Sequence, residues 1–325
     1  MASNRYYSGP PSDHFDGQRF FNPGQDRKGH SLRDIWQWKR TAKPAKWPQH
    51  VPLAPAVPEK RVEGIRITMV GHASLLVQVA GLNILTDPVW SKRASPFTFI
   101  GPRRVTPPGI AFHTLPPIDA VLVSHNHYDH LDTATLKRLH AEHAPLIVTP
   151  LGNDTIIRKA VPGARVQTRD WGESLDVGNA TITLTPANHW SARGLRDRRM
   201  ALWSGFWLQT PKGQIGFAGD TGYGEGAIFR DLHARYGAPD VALIPIGAYE
   251  PRSFMATQHV NPVEAVRIFR DIGARQALGI HWGTFQLTDE ARTAPCADLH
   301  AALLAADIAP DRFVPAEPGG VYDFP

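Results

Sequence analysis

Between residues 120 and 132 an apolar run, Ala120-Val121-Leu122-Val123, opens directly into Ser124-His125-Asn126-His127-Tyr128-Asp129-His130-Leu131-Asp132. Four metal-capable side chains fall within six residues, in the order His-x-His-x-Asp-His. An alternating strand that ends in such a loop can aim two imidazoles at one ion while Asp129 and His130 face a second. Imidazole nitrogen with a few carboxylate oxygens and no thiolate suits a catalytic zinc-type site, which keeps one coordination position open for water. A polar turn that merely happens to be rich in histidine is the bland alternative. This spacing, at a strand end, argues against it.

The bulk of the chain sets bounds on that reading. With 325 residues, 42% hydrophobic and 20% charged, it is an ordinary globular composition, sufficient for one large domain or two small ones. No apolar run approaches the roughly 18–20 residues needed to cross a bilayer. The start, Met1-Ala2-Ser3-Asn4-Arg5-Tyr6-Tyr7, lacks the apolar core of a secretory signal. A single cysteine, Cys296, excludes an internal disulfide framework and fits a reducing compartment, so the cytoplasm is the expected location. A net charge of +5 permits an anionic partner without identifying one.

Residues 1–60 are rich in Pro, Gly, Lys, Arg and Trp and keep neither a 3.6- nor a 2-residue period. They read as an irregular arm packed on the domain formed by 61–325, with a short helix around Leu32–Lys39. The arm's rings, Phe15, Phe20, Phe21, Trp36, Trp38 and Trp47, are expected to pin it to the core. Interleaved with Lys39, Arg40, Lys43 and Lys46, they also suit a membrane surface. From Arg66 onward, Ile65–Val70, Ser74–Val79 and Ile84–Thr86 predict an antiparallel meander. Further strands are expected at 119–124, 146–149, 179–185, 201–209, 214–219, 240–246 and 276–281. Helices are expected at 133–143, 152–160, 225–236, 262–273 and 296–306. The fourth helix has a clear start signal, with Asn261 as N-cap, Pro262 in the first turn and Glu264 reaching back. Meander first, then alternating strands and helices, predicts an α/β protein of two mixed sheets packed face to face with helices outside.

Metal-capable residues recur past three later strands. His189 follows Thr183-Leu184-Thr185-Pro186-Ala187-Asn188, Asp220 follows Ile215-Gly216-Phe217-Ala218-Gly219, and His281 follows Ala277-Leu278-Gly279-Ile280. Singly, each has a structural explanation, a satisfied buried histidine or an aspartate capping a turn. As a set beside His-x-His-x-Asp-His they complete two coordination shells.

This order of His125-x-His127-x-Asp129-His130, an isolated His, an isolated Asp and a final His resembles the metallo-β-lactamase fold superfamily of binuclear metallohydrolases. The resemblance implies an αββα sandwich with its site at one edge. It also implies a first metal on His125, His127 and His189, a second on Asp129, His130 and His281, and Asp220 as the bridge. Other segments are similar to the N-acyl-phosphatidylethanolamine-hydrolysing phospholipase D family. They are Phe15–Pro23, Leu85–Ser91, Arg93–Pro96, Asn188–Ser191, Pro245–Arg252, Gln258–Pro262 and His281–Phe285.

A water bridging two divalent cations has its pKa lowered from 15.7 towards about 7, so hydroxide is present at neutral pH to attack phosphorus or a carbonyl carbon. Two metals are expected, zinc first, with iron or manganese able to occupy the same donors. Asp129 is expected to orient the attacking hydroxide, His259 to give a proton to the leaving group, and Tyr128 to touch a phosphate oxygen. Asp87 and His72 are expected to fix the rings of metal-bound histidines. Arg193 and Arg196 are candidates for a bidentate phosphate contact. The function expected is phosphodiester hydrolysis of N-acyl-phosphatidylethanolamine to an N-acylethanolamine and phosphatidic acid. A hydrolase of a small lactone or cyclic phosphodiester is the alternative, and a non-catalytic lipid-binding regulator the third reading. The partners expected are a phospholipid or other ester substrate, the inner membrane face as a peripheral contact, and a second copy in a homodimer. No basic stripe with stacking aromatics of the kind nucleic acid requires is present.

Overall fold

The computed structural model describes residues 4–24, 38, 40 and 42–325. The short helix expected over Leu32–Lys39 falls, Trp38 apart, outside the described residues, as does Trp36. Two seven-stranded mixed sheets form the centre. The first half contributes β1 (Ile65–Gly71), β2 (Ser74–Val79), β3 (Leu82–Thr86), β4 (Ala120–Leu122), β5 (Leu146–Pro150) and β6 (Arg165–Arg169). The second contributes β7 (Ser174–Val177), β8 (Ala180–Thr185), β9 (Gly205–Thr210), β10 (Gly213–Phe217), β11 (Val241–Pro245), β12 (Gln276–Ile280) and β13 (Phe313–Pro315). The last strand, β14 (Val321–Phe324), returns to the first sheet, whose order is β14-β1-β2-β3-β4-β5-β6. The second sheet runs β13-β12-β11-β10-β9-β8-β7. In each sheet a meander of antiparallel strands is followed by parallel ones, β3 to β6 and β10 to β13.

Side chains alternate across a strand, and here both alternating sets are apolar. On β2, Leu75, Val77 and Val79 enter the layer between the sheets, while Leu76 faces outward. On β11, Val241 and Leu243 point inward, and Ala242 and Ile244 outward. The outward sets are covered by helices, as such sheets require. Leu136 and Leu139 of α1 (Thr133–His143) and Ile157 of α2 (Asn153–Ala160) lie against Leu76, Leu85 and Val121. On the other face, Phe229 of α3 (Ala227–Tyr236), Val266 and Phe269 of α5 (Pro262–Asp271) and Leu299 of α6 (Ala294–Ala305) cover Trp207 and Ile244. The single turn α4 (Arg252–Met255) precedes α5. The expected αββα layering is the observed one.

The arm's described rings are engaged in packing. Phe15 and Phe20 are fully buried with Leu202 and Trp203. Trp38 stacks on Phe254 at 4.9 Å and donates to Asp289 Oδ2 at 2.9 Å. The Trp47 indole donates to the Glu290 carbonyl at 2.9 Å.

Candidate metal centre

Four chain segments reach one edge of the sandwich, one leaving the first sheet and three the second. The loop after β4 is held at both ends. Val123 N still pairs with Val148 O at 2.9 Å, and Asp132 at its far end caps α1 by accepting from Ala134 N and Thr135 N at 3.0 and 3.3 Å. The intervening His125, His127, Asp129 and His130 meet His189 after β8, Asp220 after β10 and His281 after β12. Gly219 is required just before Asp220. Its φ is +62°, and a Cβ there would lie 2.7 Å from the Ser204 carbonyl.

The ring nitrogens converge in pairs. His125 Nε2 is 2.8 Å from His127 Nδ1, which is 3.2 Å from His189 Nε2. His130 Nε2 is 3.3 Å from His281 Nε2 and 3.3 Å from Asp129 Oδ2. Between these groups, Asp220 Oδ2 lies 3.1 Å from His130 Nε2, 3.7 Å from His189 Nε2 and 3.9 Å from His125 Nε2. Its Oδ1 lies 3.2 Å from His281 Nε2 without hydrogen-bond geometry.

Two buried carboxylates draw positive charge to this point. Burial favours the neutral form of every group, yet neighbouring imidazoles, His130 first, hold Asp129 and Asp220 well below the usual carboxylate range. In His130 and His281 the effect of burial is outweighed by these carboxylates. His130 is raised well above its ordinary value and His281 is pushed up to about 9. His127 and His189 go the other way, chiefly by burial, to about 4 and about 3. Neutral imidazoles with lone pairs turned on one another beside two buried carboxylates are unfavourable alone and suited to a divalent cation. Tetrahedral metal–nitrogen bonds of about 2.0–2.1 Å set adjacent donors about 3.3–3.4 Å apart, near the observed spacings. The donor set fits such an ion.

A buried network orients the rings. Asp87, fully buried with φ +35°, accepts from His130 Nδ1 at 2.7 Å, from Ser124 N at 2.7 Å and from Ser124 Oγ at 2.6 Å. The same Ser124 oxygen lies 2.9 Å from His125 Nδ1, so one carboxylate reaches a ring in each half of the site. His189 Nδ1 bonds the Gln258 carbonyl at 3.0 Å. His72 meets the centre through Asp129 and His281. Its Nε2 lies 2.9 Å from Asp129 Oδ2, and its ring lies 3.8 Å from the His281 ring. His72 and His281 both have left-handed backbones, at φ +62° and +64°, and His281 N donates to His72 O at 2.8 Å. Non-glycine residues in that region are rare and concentrate where a site over-determines them.

His259 reaches the cluster, its Nδ1 buried without a hydrogen-bond partner 4.0 Å from Asp220 Oδ2. Tyr128 donates its hydroxyl to the Arg193 carbonyl at 2.9 Å. Arg193 was expected to grip phosphate. Its NH1 donates to the Asn126 and Leu131 carbonyls at 2.9 and 2.8 Å, and its guanidinium lies over the Tyr128 ring, so it clamps the ligand loop. Arg196 is exposed at the surface. Three contributors escaped the sequence reading: Ser124, the Gln258 carbonyl and Asn22. Asn22 Nδ2 donates to the His189 carbonyl at 3.0 Å, and its Oδ1 accepts from Trp203 Nε1 at 3.1 Å. Ser124 adjoins the first histidine and Asn22 lies in the Phe15–Pro23 segment, but neither residue type carries a signal of its own.

Residues 82–282 match the family described as the beta-lactamase superfamily domain. The N-acyl-phosphatidylethanolamine-hydrolyzing phospholipase D 1 of Caenorhabditis elegans is 38% identical over 271 residues, covering 80% of this chain and 76% of that one. The mitochondrial protein of the same name from Saccharomyces cerevisiae is 36% identical over 247 residues, 74% of this chain and 52% of its own. Among solved structures, the isothiocyanate hydrolase from Delia radicum gut bacteria superposes with a TM-score of 0.63 at 20% identity, covering 80% of this chain and 99% of that one.

Proposed function

The chain belongs to the metallo-β-lactamase fold superfamily and is a metal-dependent hydrolase, and from that premise we propose that it is a phospholipase D-type phosphodiesterase of N-acyl-phosphatidylethanolamine. The observation that carries the substrate is the 38% identity, over 80% of the chain, to the nematode protein of that name. The products are an N-acylethanolamine and phosphatidic acid. In this reading His125, His127 and His189 hold one divalent ion, Asp129, His130 and His281 hold a second, and Asp220 serves both. Zinc is the ion expected, and iron or manganese suits the same nitrogen and oxygen donors. Bound there, the ions supply an acidified water at neutral pH and a Lewis acid for the phosphoryl oxygen.

The protein's own groups do the rest. Asp129, held by His72, orients the attacking water. Asp87 and Ser124 keep His130 and His125 in their tautomers and planes. His259 is neutral at rest, since burial above all holds it at about 3. We assign it the relay of a proton to the departing ethanolamine oxygen. Arg193 fixes the loop that carries Tyr128, and Tyr128 and the exposed Arg196 are assigned to the headgroup phosphate. We place the protein in the cytoplasm, peripheral to the membrane. Among the described residues no helix is long and apolar enough to cross one.

The test joins metal analysis to product analysis. Protein with two metals per chain should release phosphatidic acid from N-acyl-phosphatidylethanolamine dispersed in detergent. His127→Ala and Asp220→Ala should abolish release while leaving the circular dichroism of the folded protein. Turnover confined to soluble lactones or cyclic phosphodiesters would keep the hydrolase and remove the lipid. Undiminished turnover by fully stripped protein would overturn the reading.

A further inference from the structure

Several of the large apolar side chains left in solvent are grouped beside the candidate centre. Phe97, Phe99 and Ile100 are 54, 76 and 58% exposed, at the tip of the loop running from Ser91 to Arg104. The tip is built. Phe97 and Phe99 pack ring against ring at 5.6 Å, and Arg93 donates to the Thr98 and Gly101 carbonyls at 3.2 and 2.5 Å. At the loop's base the buried Arg104 donates to the Val89 carbonyl at 2.6 Å. From Ser91 to Arg104 the chain carries Lys92, Arg93, Arg103 and Arg104 and neither Asp nor Glu. A cavity of about 450 Å³ runs from this loop to the ligand loop, lined by Lys92, Phe97, Thr98, Tyr128 and Arg193 among others. Asp132, the carboxylate on its wall, is engaged in capping α1. Two residues past Arg193, Leu195 is fully exposed beside exposed Arg196.

We propose that the Ser91–Arg104 loop, together with Leu195, docks the protein on an anionic lipid surface. The apolar tip enters the acyl region, and Lys92 and Arg103 meet headgroup phosphates. This deepens, and rests on, the reading of the centre as a lipid phosphodiesterase. An apolar tip with a basic rim is what an anionic bilayer interface favours. A stable protein partner would bury about 800 Å² on each side, far more than a four-residue tip offers. Of the arm's tryptophans, Trp38 and Trp47 are tied to Asp289 and Glu290.

The experiment is flotation of the full-length, metal-loaded protein with vesicles of phosphatidylcholine alone or mixed with phosphatidylglycerol, containing no N-acylated lipid. Wild type should float with the anionic vesicles, less with the neutral ones, and less at high salt. Phe99→Ser combined with Ile100→Ser and Leu195→Ser should weaken partition about tenfold or more, with metal content and melting temperature unchanged. Lys92→Glu with Arg103→Glu should remove the preference for anionic vesicles. Wild type that floats with neither vesicle, or a triple-serine variant that floats like wild type, would overturn the docking surface. Flotation without hydrolysis of N-acyl-phosphatidylethanolamine in detergent would uphold the surface and remove the substrate.

Discussion

Asp87 joins the candidate centre through hydrogen bonds from His130 and Ser124. A carboxylate with no exposure normally carries a large desolvation penalty, and burial indeed pushes its pKa up. It is kept by three hydrogen bonds, one from His130 and two from Ser124. Asp87→Ala should therefore lower metal affinity or turnover by about 10–100-fold, the usual effect of removing such a partner. Asp87→Asn, which can still accept from Ser124 N, should lose less. Equilibrium competition with a chelator distinguishes them, and wild-type affinity in Asp87→Ala would refute the role. The proposed ligands were legible because each follows a strand directly and has a side chain with few other uses there. Asp87 was legible for the same reason. Ser124 and the Gln258 carbonyl were not, since a hydroxyl and a main-chain oxygen are everywhere in a sequence. Arg193 suits phosphate and a loop clamp equally by its type, so the sequence alone does not show that its NH1 holds the Asn126 and Leu131 carbonyls.

Among elements, the capped helix was the easiest to read. Asn261 accepts from Glu264 N at 2.9 Å and Glu264 returns a bond to Asn261 N at 3.1 Å, as the spacing predicted. The edge strands β6, β7, β13 and β14 were missed. They are three to five residues long, and β6 and β7 alternate with polar residues that suit a turn as well as an edge. The strand expected from 201 begins only at Gly205. Ala201–Trp203 is apolar like a strand, and Leu202 and Trp203 are buried with the arm's Phe15 and Phe20, but the segment joins no strand ladder. That arm has a pH-sensitive fastening. His14 stacks on Trp171 at 4.5 Å, with its nitrogens 2.8 Å from Asp170 and 2.6 Å from Asp13. Burial alone would lower the imidazole, but the two aspartates outweigh it and raise the pKa above the ordinary value. The stability gained is then full below the unfolded-state value of about 6.5 and lost as pH rises through the higher folded value. Denaturant titrations of wild type and His14→Gln should differ most near pH 5.5–6 and converge as the medium becomes alkaline. A constant difference across that range would show that stacking alone holds the arm.

At the scale of the molecule, the donors come from both sheets. His125, His127, Asp129 and His130 leave β4 of the first, while His189, Asp220 and His281 leave β8, β10 and β12 of the second. An ion held by His125, His127 and His189 is therefore a cross-link between the layers, added to the one apolar cluster that Leu122 and Val148 share with Leu184 and Phe217. Those contacts and the fully buried strands are present without it, so the stripped protein should stay folded. The charge left behind is also balanced, since His130 and His281 are held above their ordinary values by Asp129 and Asp220. What stripping removes is the binding free energy that favours the folded state alone, about 2.7 kcal/mol when free metal stands at a hundred times its dissociation constant. For a chain of 325 residues each kcal/mol moves the melting temperature by about 1.5 °C. Chelation should then lower it by about 4 °C, and the melt should stay a single cooperative transition that titrates back as zinc, manganese or iron is restored. Scanning calorimetry with metal analysis at each step measures both quantities. If metal leaves while the melting temperature stays fixed, the centre does not join the sheets energetically, and its geometry is maintained by the Asp87–Ser124 network and the two cores on their own.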